Sequence, residues 1–242
     1  MIFAAGLGTR LKPITDTIPK ALLPIGGKTL LEWQLQKLRA AGITEVVINI
    51  HHFADQIVRF VEEHDAWGMH ILFSDEREQL LETGGGLKKA ADLLGTDEPV
   101  LVCNVDVLST IRLEELMAAH RPESLATIVV SPRETQRYLL FTPQRRLVGW
   151  TNIKTGEVKP ADFPYSPKEV EALAFSGMHV VSPKIFEIMR PYPARFPIID
   201  FYIDQCREHE INAFVPSNYR MMDIGKIDTL QEAEQFAKTL TL

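Results

Sequence analysis

The sequence predicts an α/β protein built on a doubly wound, mostly parallel sheet with a small antiparallel insert. Three observations carry that expectation. Short apolar runs alternate with segments of helical period from residue 1 to about residue 125, the rhythm of βαβ units. Two of the runs, Glu45–Ile50 and Pro99–Cys103, are nearly continuous in apolar residues, as strands buried on both faces require. From Ala126 onward the rhythm turns to short strands joined by turns, which reads as an antiparallel insert.

Met1–Ala5 reads as the first strand and breaks at Gly6. A loop punctuated by Gly and Pro follows, carrying Arg10 and Lys20. Gly26-Gly27-Lys28 makes a turn. Thr29–Ala41 then reads as a helix, with Leu30, Leu31, Trp33, Leu35 and Leu38 on a helical period and Gly42 closing it. After the strand Glu45–Ile50, Phe53–Glu63 is helical and Met69–Phe73 is a strand. Ser74–Gly86 reads as a polar loop ending in three glycines, and Leu87–Leu94 as a helix. Pro99–Cys103 is the fourth strand of this half, followed by a helix over Leu113–His120. The insert supplies strands at Thr127–Ser131, Tyr138–Thr142 and Arg146–Trp150, a charged, Pro-rich loop over Lys154–Glu171, and a strand at Ala172–Val181. Helices at Pro183–Met189 and Ile198–His209, strands at Asn212–Pro216 and Tyr219–Asp223, and a helix at Ile227–Lys238 complete the chain. No repeat, linker or low-complexity segment divides it, so one domain over residues 1–242 is expected.

Composition narrows the function classes. With 242 residues, 45% of them hydrophobic, the chain can bury a substantial core. A net charge of −6 without a long basic run argues against a nucleic-acid surface, which needs clustered Lys and Arg. No apolar run approaches the roughly 20 residues of a membrane span. There is no secretory leader pattern, and the two cysteines, Cys103 and Cys206, suit a reduced, cytoplasmic protein. A homo-oligomer is compatible with all of this. The first strand starts at residue 1 with little lead-in, which leaves room for residues preceding Met1.

Ligands of open α/β sheets collect beyond the carboxyl ends of the strands, so the loops there matter most. In the opening loop, glycines let backbone N–H groups approach an anion, Arg10 adds a planar fork and Lys20 a mobile point charge. A polyphosphate is the expected ligand. The loop lacks the third Gly of the dinucleotide fingerprint and the Gly-Lys-Ser/Thr end of a P-loop. Leu81-Glu82-Thr83-Gly84-Gly85-Gly86 offers bare backbone against which a flat base could lie. Asp106, just past a buried strand, is placed to share Mg²⁺ with phosphate oxygens, although an Asp there also suits a turn or cap. Asp223, in Met222-Asp223-Ile224-Gly225, has the same two readings. His51 and His52 point to opposite sides of a strand end and make a poor metal pair.

These residues resemble the signature of the sugar-1-phosphate nucleotidyltransferases, the enzymes that make nucleoside-diphosphate sugars. The match runs through Gly6, Gly8, Thr9, Arg10, Pro13, Thr15, Pro19, Lys20, Leu22 and Pro24 at the family's spacing, and the resemblance covers essentially the whole chain. It implies the Rossmann-like nucleotide-diphospho-sugar transferase fold, with about 1–125 as the nucleotide-binding half and about 126–242 as the sugar-phosphate half. It implies transfer of a nucleoside monophosphate from a nucleoside triphosphate to a sugar 1-phosphate, with release of pyrophosphate. By the same resemblance Arg10, Lys20 and Asp106 are catalytic. Ala5, Gly6, Gly8, Thr9, Glu82, Thr83, Gly84 and Gly85 bind the nucleotide, Asn152 and Gly177 the sugar, and Asp106 with Asp223 holds Mg²⁺. The Leu-Glu-Thr-Gly-Gly-Gly string looks like the subgroup containing N-acetylmuramate-1-phosphate uridylyltransferases. Mannose- or heptose-1-phosphate guanylyl transfer, cytidylyl transfer to a non-sugar phosphate, and a non-catalytic nucleotide-sugar-sensing subunit are the alternatives. Two departures stand out: Val105 replaces the small residue usual before the Asp, and Trp150–Lys154 lacks the family's Glu-Lys pair.

Overall fold

The computed structural model describes residues 1–240 apart from positions 96, 165 and 167. In chain order the elements are β1 (Ile2–Phe3), β2 (Pro24–Ile25), β3 (Lys28–Thr29), α1 (Leu30–Ala40), β4 (Glu45–Ile50), α2 (Ala54–Glu63), β5 (His70–Asp75), α3 (Glu82–Lys89), α4 (Ala91–Leu94), β6 (Val100–Asn104), β7 (Val107–Ser109), α5 (Leu113–Ala119), β8 (Ala126–Ser131), β9 (Arg137–Phe141), β10 (Leu147–Asn152), β11 (Glu157–Lys159), β12 (Glu171–Val181), α6 (Lys184–Met189), α7 (Ile198–Gln205), β13 (Ile211–Phe214), β14 (Met221–Asp223) and α8 (Leu230–Ala237).

Most strands join one sheet in the order β11-β10-β9-β12-β6-β1-β4-β5, with β8 pairing β12 and β13. β6, β1, β4 and β5 run parallel, and β12 enters antiparallel beside β6. The long β12 ties the insert to this parallel core, because its first residues pair with β9 and its last with β6 and β8.

The continuous apolar runs have their reason in the packing. Val46, Ile48 and Ile50 of β4 bury into one core with Leu31 and Leu35 of α1 and Ile57 of α2, while Val47 buries into a second core. Leu101 and Cys103 of β6 divide from Val100 and Val102 in the same way. The second core also takes Leu87 of α3, Ile185 of α6 and Phe201 of α7. Helices therefore cover both faces of the sheet, and no strand residue in its middle can be polar without a partner. α1 starts where Thr29 accepts a hydrogen bond from the Glu32 N–H at 3.1 Å, and Lys37 and Arg39 lie in its last turn.

Several expected boundaries move. The polar loop from Ser74 ends at Leu81 rather than Gly86, because Gly84, Gly85 and Gly86 lie inside α3. A Cβ at Gly84 would fall 2.4 Å from the Phe196 ring, and one at Gly85 only 2.1 Å from the Ala194 carbonyl. The glycines are there so that another backbone segment can lie directly on the helix. The stretch 154–171, expected to be loop, contains β11; its positions 165 and 167 lie outside the described residues. The short β7 has no helical or long apolar signal of its own and forms only because β14 pairs with it. Among the described residues no helix is long and apolar enough to cross a membrane.

Candidate active site

The carboxyl ends of β1, β4 and β6 open onto one cleft, and a buried hydrogen-bond chain sets its floor. Asn49, at the end of β4, accepts the N–H groups of Ala4 and Ala5 on its Oδ1 (2.7 and 3.3 Å) and donates through Nδ2 to Glu76 at 2.7 Å. The second Glu76 oxygen accepts the Leu81 N–H at 2.9 Å. Glu76 is fully buried, so each of its oxygens needs such a donor. The opening loop and the segment leading to α3 are thus tied to a single carboxylate. Gly8 sits at φ 64, and the buried Thr15 hydroxyl donates to its carbonyl at 2.8 Å. That bond explains why the loop carries Thr at position 15.

Lys20 reaches Asp106 in an ion pair whose side chains are only 11% and 22% exposed. Asp106 follows β6, and Asp223 ends β14, which pairs with β7 so that Asp223 lies opposite Val107. The Ile224 N–H donates to the Asp106 carbonyl at 2.8 Å, and buried Gln34 donates to the Val107 carbonyl at 2.7 Å from behind. Burial, and next the neighbouring Asp106 carboxylate, raise the pKa of Asp223, while Lys20, Arg10 and Arg133 pull it back. A carboxylate whose ionisation is opposed by burial and by a second carboxylate marks a place where a cation is stabilising.

The cleft has two lobes that meet at Asn104. The first, about 450 Å³, is lined by Ala5, Gly6, Gly8, Thr9, Arg10, Lys20, Glu82, Thr83 and Asp106 among the predicted residues. The second, about 560 Å³, is lined by Asn152, Gly177 and Asp223. Gly84 and Gly85 line neither lobe; their N–H groups donate to the Phe196 carbonyl at 2.9 and 3.1 Å. Glu82 stands at φ 63, an uncommon conformation for a residue with a side chain, and pairs with Arg195 at 2.8 Å. His51 and His52 are not among the lining residues; His51 Nδ1 lies 2.6 Å from the Glu76 carbonyl, and the His52 ring lies against Phe53.

Residues that sequence reasoning passed over complete the second lobe. Asn104 faces both lobes, and its signal was available: a polar residue ending an apolar strand. Arg133, Arg137, Trp150, Glu157 and Lys159 carried no such signal. The β10–β11 hairpin places Lys159 opposite Trp150 and Glu157 opposite Asn152. Lys159 Nζ lies 5.4 Å over the Trp150 ring, 3.8 Å from Glu157 and 3.2 Å from Asp200. The stretch 150–154 lacks a Glu-Lys pair, but the next strand brings Glu157 and Lys159 into the lobe. Among the described residues no group of three His, Cys, Asp or Glu gathers as a metal site; the acidic pair is Asp106 and Asp223.

The sequence pattern of the Nucleotidyl transferase family matches residues 1–239. The chain is 37% identical over 191 residues to the N-acetylmuramate alpha-1-phosphate uridylyltransferase of Caulobacter vibrioides, covering 76% of this chain and 75% of that one. It is 36% identical over 240 residues to the enzyme of the same name from Neisseria meningitidis serogroup B, covering 98% and 97%. In structure it resembles a UDP-glucose pyrophosphorylase complexed with UDP-glucose, with a TM-score of 0.77 at 20% identity over 98% of this chain and 97% of that one.

Proposed function

The chain belongs to the nucleotidyl transferase family, and from that premise we propose that it transfers a uridylyl group from UTP to N-acetylmuramate 1-phosphate. The observation that carries the reading is the two-lobed cleft joined at Asn104, with Asp106 in one lobe and Asp223 in the other. Such a shape suits two substrates whose phosphates meet at the junction. The first lobe draws its lining from residues 3–106 plus Gly225, and the second mostly from residues 133–223. That division supports a nucleotide half of about 1–125 and an acceptor half of about 126–242. The base and the sugar rest on the two uridylyltransferase relatives.

In the reaction an oxygen of the sugar 1-phosphate attacks the α-phosphorus. The bond from that phosphorus to the bridging oxygen breaks, and the electron pair leaves with pyrophosphate. No covalent enzyme intermediate is needed, so the residues act by positioning and by neutralising charge. In this reading Lys20 bridges the α-phosphate and the acceptor phosphate, and Arg10 steadies the departing pyrophosphate; that both line the first lobe supports it. Ala5, Gly6, Gly8 and Thr9 form the phosphate wall, and Glu82 and Thr83 the base end. Gly84 and Gly85 act from beneath by seating that segment on Phe196. Asn152 and Gly177 face the sugar.

Asp106 and Asp223 fit Mg²⁺, which takes one or two carboxylates and completes its shell with phosphate oxygens and water. When bound there, the ion supplies charge neutralisation at the reacting phosphate. A pyrophosphate-release assay tests the reading. UTP, GTP, CTP and dTTP are each offered with N-acetylmuramate, mannose and glucose 1-phosphates, with Mg²⁺ or with chelator. The expected result is turnover confined to UTP with N-acetylmuramate 1-phosphate and lost on chelation. Preferred turnover of GTP with mannose 1-phosphate would overturn it.

A further inference from the structure

The second lobe keeps an uncompensated cation at its outer wall. Lys159 is answered by Asp200 and Glu157. Arg133 donates through Nη2 to the Phe175 carbonyl at 3.0 Å and stands close enough to Asp223 to favour its charged form, which puts it at the phosphate end. Arg137 lines the lobe, is exposed, and makes no ion pair among the described residues. It lies on β9, which pairs with the first residues of β12, whereas β6 pairs with its last, so it stands apart from Asn104 along the lobe. This is the part of the lobe that a sugar ring reaches when its phosphate is at the junction.

The neighbour of Arg137 narrows the ligand. Asn152 is its register partner across the β9–β10 ladder. The Asn152 side-chain oxygen accepts the Lys154 N–H at 3.0 Å, and its NH₂ makes no hydrogen bond among the described residues. Next along the ladder, Leu139 pairs with Trp150 and gives an apolar floor. The carboxylates on this side of the lobe, Glu157 and Asp200, are engaged by Lys159, which leaves a guanidinium without an anionic partner and an amide NH₂ beside an apolar surface. A sugar hydroxyl both donates and accepts, whereas an ionised carboxylate only accepts and matches a guanidinium in two parallel bonds.

We propose that Arg137, supported by Asn152, is the acceptor-specificity residue and binds a carboxylate carried on the sugar ring away from its phosphate. The proposal rests on the sugar-1-phosphate reading above and names the group by which that site tells acidic acceptors from neutral ones.

The test compares N-acetylmuramate 1-phosphate with N-acetylglucosamine 1-phosphate, which differ only in the carboxylate-bearing lactyl ether, as acceptors with UTP and Mg²⁺. The wild type is expected to favour the acidic sugar. In Arg137→Gln the ratio of kcat/KM between the two acceptors should fall roughly 10- to 100-fold, the size of one charge-assisted pair. The loss should appear mainly in KM, and Arg137→Lys should restore part of it. An unchanged ratio in Arg137→Gln overturns the proposal. If a wider acceptor screen finds a neutral sugar 1-phosphate as the true substrate, the proposal and the N-acetylmuramate reading fall together. If it finds a different acidic sugar whose preference Arg137→Gln abolishes, the N-acetylmuramate reading fails and the role of Arg137 stands.

Discussion

The Ile224 N–H donates to the carbonyl oxygen of Asp106 at 2.8 Å, and this bond joins two loops that are far apart in the sequence. Together with the β7–β14 ladder it holds the Asp106 and Asp223 carboxylates at one junction, with Lys20 paired to the first. The charges at the junction are therefore set by backbone hydrogen bonding rather than by flexible side chains, as a preorganised site requires.

Replacing Lys20 by Ala should lower kcat in the pyrophosphate-release assay by roughly 100- to 1000-fold, the usual loss when a preorganised charge is deleted. The Lys20–Asp106 pair is mostly buried, so removing the Lys also leaves Asp106 without its partner and urea unfolding should shift by about 1–3 kcal/mol. Near-normal turnover in a folded Lys20→Ala protein would remove Lys20 from the chemistry.

Gly85→Ala should act on stability first. Its Cβ would lie 2.1 Å from the Ala194 carbonyl, and the backbone cannot yield without parting α3 from the 194–196 segment. A loss of about 1–3 kcal/mol is expected in urea melts, with weaker nucleotide binding because Glu82 and Thr83 move with the helix. An unaltered midpoint would show that this contact is loose.

Asn49→Leu keeps the side chain's bulk but strips Glu76 of a donor and leaves the Ala4 and Ala5 N–H groups without an acceptor. A cost of about 3 kcal/mol follows from unsatisfied buried groups next to a charge. Hydrogen exchange at Ala4 and Ala5 should rise in the same variant. Unchanged exchange there would mean that Asn49 does not anchor the loop.

His179 gives the protein a pH dependence. It is buried on β12 with Tyr202 Oη 2.8 Å from its Nδ1, and burial lowers its pKa to about 3. An unfolded His titrates near pH 6.5, so between those values the unfolded chain binds more protons. Stability is then lost as pH falls through that window, at up to about 1.4 kcal/mol per pH unit. His179→Gln should flatten the slope of unfolding free energy between about pH 4 and 6. An equal slope in both proteins would place the acid sensitivity elsewhere.

Sequence reasoning went furthest where chemistry and neighbours in the chain coincide. The strand–loop run from Met1 to Pro24 holds its own Gly, Thr, Arg and Lys at fixed offsets, and Thr15 acts on Gly8 only a few residues away. It was less informative where a residue's meaning comes from a distant partner. The glycine triplet read as a loop because Gly is a poor helix former, and only Phe196 and Ala194 reveal the close contact that calls for it. Glu76 read as one more charge in a polar stretch, yet it is fully buried because Asn49 lies beside it.

By itself the sequence determined the parallel core, through the double-sided burial of β4 and β6, and the Gly- and Pro-punctuated opening loop that carries Arg10 and Lys20. Tertiary structure decided which carboxylates meet, which residues line the second lobe and what the glycines are for. The physical reason is range. Helical period, strand burial and turn chemistry are written over a few residues, whereas the pairing of β7 with β14 and of β10 with β11 places side chains by contacts that no local pattern encodes.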